Sequence, residues 1–158
     1  MTVLDLAAGT GVIDVFNSNP IQAVISDTNA IGVSRLTLFH LIVTLHKILE
    51  IYKRYKPILP TEVALEFKNL AKEIDARGVP AFRNKVIGHI WDADLRRPLL
   101  ANEIQLALSS VTQGDPAAFL NWINPRPEPC STSVVAIVER VRDSIGEKYD
   151  VDGREIGG

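Results

Sequence analysis

The chain has 158 residues, 46% of them hydrophobic and 23% charged, which suits one domain with a sizeable core, since domains most often run to about 100–150 residues. A formal net charge of −2 and a pI near 5.9 exclude a protein that coats nucleic acid by bulk charge, because such domains carry a strongly basic face or a pI above about 9, while a local basic site stays open. Cys130 is the only cysteine, so an intrachain disulfide and a zinc site built on several thiolates are both excluded, and the expected setting is reducing and cytoplasmic.

The first stretch, "TVLDLAAGTGV" (Thr2–Val12), has an early acid in Asp5 and no basic n-region, so it does not read as a secretory signal. "VLDLAAGTG" resembles the first motif of class I S-adenosylmethionine-dependent methyltransferases, in which a strand ends in an acid and enters a glycine turn. Gly9 and Gly11 match, Ala7 replaces the first glycine, and Asp27 stands where that family's ribose-binding acid falls. Against this methyltransferase-fragment alternative, "NSNP" (Asn17–Pro20) interrupts the crossover helix, where a proline costs about 3 kcal/mol. No alternating strand follows Asp27. The likeness therefore reads as chance, and residues 1–28 are expected to form a loosely packed N-terminal segment of one or two helices.

From Asn29 to Tyr55, Ile31, Leu38, Ile42, Leu45, Leu49 and Tyr52 recur at spacings of three, four and seven, which predicts a long helix with a wide apolar face. Its run Leu36–Tyr52 is interrupted by His40, His46, Lys47 and Glu50, so it reads as a buried helix and not as a membrane span. "KPILP" (Lys56–Pro60) ends it. Val63, Phe67, Leu70 and Ile74 then predict a second helix from Thr61 to Gly78, antiparallel to the first because the connection is short. Pro80 opens a third, "PAFRNKVIGHIWDAD", with Phe82, Val86 and Ile90 at four-residue steps. "LLANEIQLALSSV" is a further helix, Asp115 and Pro116 cap and start a short one reaching Trp122, and a last helix follows a cap at Ser131 or Ser133, with Val134, Ile137, Val138, Val141 and Ile145 inward. "NPRPEP" (Asn124–Pro129) separates the last two. The prediction is a single all-α domain, a helical bundle of about five to seven helices with almost no strand, ending in a frayed tail over residues 150–158. "DVDG" (Asp150–Gly153) lacks the downstream pattern of a calcium loop.

The chemistry centres on "FRNKVIGHIWDAD" (Phe82–Asp94). Arg83, the polar Asn84 and His89 resemble the R-x4–6-H motif of the HEPN superfamily, and Gly88 and Asp92 around them make "FRNKVIGHIWD" most similar to its abortive-infection AbiU-type branch. The likeness extends over residues 29–149 as a long helix, a second helix, the motif helix and a closing helix. Arg35 to His40, five apart, also fits R-x4–6-H inside the most apolar helix, where it reads as packing. His40 and His46 themselves read as core or boundary residues.

The resemblance implies a homodimeric, metal-independent ribonuclease, a toxin or defence effector of the toxin–antitoxin kind, with RNA as substrate and a nucleotidyltransferase-type antitoxin as partner. It implies no cofactor. In that chemistry the ribose 2′-hydroxyl attacks the adjacent phosphorus; His89 moves the proton, Arg83 grips the phosphate as Lys cannot, and Asn84 orients the histidine or holds a phosphate oxygen. Arg83 and His89 lie six apart, about 120° away from each other on a regular α-helix; a looser turn at Gly88 is one way to bring them together, and the resemblance implies another, a composite site with two motif helices meeting at one cleft and Trp91 offering an apolar contact. "KRYK" (Lys53–Lys56) and Arg96–Arg97 are the candidate phosphate rim. The alternative is a non-catalytic HEPN-type interaction module, in which Arg83 pairs with Asp75 or Glu73 and His89 caps its helix.

Overall fold

The computed structural model describes the backbone of residues 2–18, 27–89, 91–92, 96–126, 128 and 130–149, with side chains at all of these except 14, 16–18, 27–31, 88–89 and 91–92. Among these residues the chain is an all-α bundle of seven helices, α1 (Thr2–Ser18), α2 (Asp27–Tyr55), α3 (Thr61–Ala76), α4 (Val79–Phe82), α5 (Ala101–Thr112), α6 (Pro116–Ile123) and α7 (Val134–Tyr149). Two-residue strands β1 (Trp91–Asp92) and β2 (Arg97–Pro98) pair antiparallel, Trp91 opposite Pro98 and Asp92 opposite Arg97. The expected tail and the Asp150–Gly153 segment lie outside the described residues.

α2 is the central element. Leu41, Ile42, Leu45 and Ile48 are fully buried on it, and burying such side chains contributes about 1.5–3 kcal/mol each. By length and composition the Gly32–Ile58 stretch is apolar enough to cross a membrane, but those four residues are spent inside the bundle. A 3-10 turn, Lys56–Ile58, reverses the chain, and α3 runs back along α2 with Phe67 edge-on to Tyr52, ring centroids 5.4 Å apart. Gly78, in the left-handed region at φ 74°, then admits the sharp bend into α4, where Phe82 meets Phe39 of α2 at 5.4 Å.

α7 closes the other side of α3. Arg140 bonds Glu66 at 2.9 Å and the Ser131 carbonyl at 2.7 Å, and Lys148 donates to the Ile58 carbonyl at 3.1 Å. The helix starts follow the sequence: Asp115 Oδ1 accepts from Ala118 N–H at 2.9 Å, and Ser133, of the two serines proposed, accepts from Ala136 N–H at 3.3 Å.

Two local expectations differ from what forms. Thr2–Ser18 is one continuous helix in contact with the core and not a loose segment, because Leu6 is fully buried, Ile13 is 5% exposed, and Gly9 lets the backbone approach Leu41. A Cβ at Gly9 would stand 2.7 Å from Leu41 Cδ2. Thr10, also buried, accepts a hydrogen bond from Asn124 Nδ2 at 3.1 Å, tying α1 to the end of α6. The helical Gly9 and Gly11 also rule out the strand and glycine turn that a methyltransferase motif needs.

The second difference is the stretch opened by Pro80. It does not run as one α-helix to Asp94: α4 ends at Phe82, Arg83–His89 forms a π turn, and Trp91–Asp92 enters the strand pair. Phe82 and Val86 still face the core, each 3% exposed, as their four-residue spacing predicts. Ile90 lies outside the described residues.

The integral role of α1 sets an expected outcome: Leu6→Ala lowers unfolding free energy by about 2–5 kcal/mol, as for a cavity in a packed core. Urea denaturation followed by circular dichroism checks it, and a loss below about 0.5 kcal/mol, the scale of a surface change, contradicts the packing.

Candidate functional site around Arg83

Arg83, Asn84 and His89 all fall within the π turn Arg83–His89. Such wide turns, closed by i→i+5 hydrogen bonds, are rare and occur frequently at functional sites. Phe82 and Val86 anchor the inner side, which leaves Arg83, Asn84 and Lys85 outward and exposed. The Arg83 guanidinium donates from Nη1 to Asn84 Oδ1 at 3.1 Å. Asn84 therefore steadies the arginine in this structure, a role the sequence did not suggest. The side chains of Gly88, His89, Trp91 and Asp92 lie outside the described residues.

Arg83 opens the π turn and His89 closes it, six residues on, whereas the i→i+5 bonds of such a turn align positions about four or five apart.

The surrounding cations separate by role. Arg97 grips Glu103 through two contacts, 3.0 and 2.7 Å, while Glu103 accepts the Leu100 N–H at 2.7 Å, covering an orphan donor at the start of α5. Arg97 thus pins the strand pair to α5, a correction to its expected place in a phosphate rim. Arg96 next to it is exposed, with φ 51°. The Lys53–Lys56 run lies at the far end of α2. Fourteen residues separate Lys53 from Phe39, the residue that meets Phe82, or ~21 Å of helix at 1.5 Å per residue. Within one chain the run is too distant to rim the Arg83 turn. Its cations rest on nearby aromatic rings, Arg54 over Tyr55 and Lys56 over Tyr52, each at 5.7 Å.

The pairing of Arg83 with Glu73 does not form. Glu73 is held by Arg77 at 2.9 Å, and Arg77 lies over the Trp122 ring at 4.1 Å, clamping α3 to α6. His40 Nε2 stands 4.0 Å from Asp5 Oδ1, and His46 Nε2 is 3.9 Å from Glu50 Oε1. His46 is half-buried, a boundary residue as expected, and its buried Nδ1 has no hydrogen-bond partner, whereas His40 is exposed, its side chain 51% accessible, and is neither a core nor a boundary residue. No group of three or more His, Cys, Asp or Glu side chains suited to a metal ion occurs among the described residues.

A cavity of about 520 Å³ lies between α3 and α7, lined by Glu66, Asn69, Glu73, Thr132 and Arg140 among others. Each of its carboxylates already holds an arginine, so it is braced and not poised to trap a cation. Beside it Cys130 is exposed, its Sγ 3.0 Å from Thr132 Oγ1. That hydroxyl, helped by backbone hydrogen bonds from Thr132 and Ser133, holds the thiol below its ordinary pKa. These groups are neighbours in the sequence, Cys130–Ser133, and the turn before α7 closes them on the sulfur.

Compared with known protein families, with curated proteins and with solved structures, the chain matches none.

Removing the Thr132 hydroxyl withdraws a donor from the thiolate. In Thr132→Val the pH midpoint for Cys130 alkylation by iodoacetamide is expected to move upward, so that at neutral pH the variant reacts more slowly than the parent. Equal pH–rate profiles contradict the assignment.

Proposed function

We propose that this chain is a HEPN-like, metal-independent ribonuclease whose active site is composite, formed by two copies. The observation that carries the reading is the π turn itself, which presents an exposed arginine, a polar neighbour hydrogen-bonded to it and a histidine in one short segment on an all-α bundle. The helix order from α2 through α7 supports the same reading. The six-residue separation, about 120° of arc on a regular helix, supports two copies.

In this mechanism His89 takes the proton from the ribose 2′-hydroxyl as its oxygen attacks the adjacent phosphorus. Arg83, steadied by Asn84, binds the non-bridging oxygens and stabilises the negative charge that builds on them. The bond from phosphorus to the 5′-oxygen breaks, leaving a 2′,3′-cyclic phosphate on one product. The departing 5′-oxygen receives a proton from the second copy's histidine. Exposed Arg96, at the neighbouring strand pair, extends the positive surface along the RNA backbone. A toxin or defence role and a nucleotidyltransferase-type antitoxin belong to the same proposal.

Purified protein is expected to cleave single-stranded RNA in the presence of a chelator and to leave cyclic-phosphate ends. His89→Ala is expected to reduce the rate by about 10²–10⁴. Arg83→Ala and Arg83→Lys both lose activity, because lysine lacks the planar fork. Cleavage that survives both His89→Ala and Arg83→Ala overturns the mechanism. A well-folded parent without cleavage favours instead the non-catalytic module that binds a protein partner.

A further inference from the structure

α1 packs into the core, yet one of its faces is bare and apolar. Leu4 is 65% exposed, Val12 41% and Val15 50%, and Ala8 between them is also exposed. At 3.6 residues per turn these four lie within about 80° of arc, a stripe ~17 Å long at 1.5 Å per residue. Leu36, 69% exposed, adds to it from α2. It lies one helical turn before His40, whose imidazole approaches Asp5 at the edge of the stripe. Contiguous apolar surface of this kind marks a contact site more often than scattered exposed residues do.

What flanks the stripe points to its occupant. On one side Arg126 reaches the Ala7 carbonyl at 3.4 Å and lies over Gly11, with Nη2 3.3 Å from where a Cβ would stand. On the other side is Asp5, facing His40. α1 itself has no lysine or arginine, so it lacks the basic face that holds an amphipathic helix on an anionic membrane.

A two-fold axis parallel to α1 sets the helix beside its copy in the same direction. It brings the Arg126 side of one chain to the Asp5 side of the other. An antiparallel pair puts both arginines on one side of the seam and both aspartates on the other. An apolar centre with a complementary charged rim is the usual anatomy of an interface, and the small Ala8 at mid-stripe permits close approach of the two backbones.

We propose that this chain self-associates through α1 as a parallel two-fold pair, with Leu4, Ala8, Val12 and Val15 at the centre and Asp5 and Arg126 of opposite copies at the rim. The stripe is smaller than the ~800 Å² per partner of a standard interface, so the pair is reversible and concentration-dependent. The pair is separate from the two-copy site of the ribonuclease reading, which joins the Arg83 turns; the substitutions that break it and the position that cross-links tell the two apart.

Sedimentation velocity from low to high micromolar concentration tests it. The parent is expected to gain mass with concentration, and Leu4→Glu and Val15→Glu, both at exposed positions, are expected to remove the step that depends on α1, with unchanged helical signal and melting. Orientation is read from Leu4→Cys in a Cys130→Ser background. A parallel pair brings the two introduced thiols within the roughly 4–7 Å Cα separation of a disulfide, and mild oxidation yields a covalent dimer; an antiparallel pair centred on the stripe holds them ~16 Å apart. A parent that stays monomeric, association left unchanged by both glutamate variants, or association without the cross-link overturns the proposal.

Discussion

The burial of α2 is the constraint on which the remaining architecture depends. A helix with Leu41, Ile42, Leu45 and Ile48 all removed from solvent requires neighbours on several sides, since a single packed stripe leaves much of its girth wet. α1 supplies one neighbour through the close approach of Gly9 to Leu41. α3 supplies another through Phe67 on Tyr52, and α4 a third through Phe82 on Phe39. That last contact fixes the point from which the Arg83 turn projects, so the hydrophobic requirement of α2 positions the candidate site.

The arginines divide between holding the fold and facing outward. Arg77, Arg97 and Arg140 each bind a carboxylate from their own chain, and their planar forks join two elements at a time. Arg77 clamps α3 to α6 through Trp122, Arg140 ties α7 to α3, and Arg97 fixes the strand pair to α5. Arg83 instead bonds the neutral amide of Asn84, which leaves its positive charge uncompensated by that contact. This difference in partner fits the phosphate-binding role proposed for Arg83.

Much of the fold was legible in the sequence where periodicity and punctuation agree. Phe67, Leu70 and Ile74 marked the inner face of α3, all three are buried, and the breakers at Asn17–Pro20, Lys56–Pro60 and Arg77–Pro80 coincide with helix ends. Asp115 and Ser133 cap the helices they precede. The stretch after Pro80 was less legible because the four-residue step from Phe82 to Val86 fits a π turn anchored on the same two side chains as well as an α-helix. Hydrophobic spacing reports which residues face inward, not how wide the turn is that carries the polar residues between them.

The sequence by itself determined the all-α class, the order of the helices and most of their ends, because these rest on local spacing, caps and prolines. It also placed Arg83, Asn84 and His89 in one segment. Only the tertiary structure decided that Thr2–Ser18 belongs to the core, since Gly9, part of the run that resembles a cofactor loop in sequence, serves here to let the α1 backbone close on Leu41. The tertiary structure likewise sent Arg97 to Glu103, carried Lys53–Lys56 to the far end of α2, and left Leu4, Val12 and Val15 bare while Leu6 and Ile13 were covered. The physical reason is common to all of these: which face of a uniformly apolar helix is buried, and which cation finds a carboxylate, depends on residues distant in the chain.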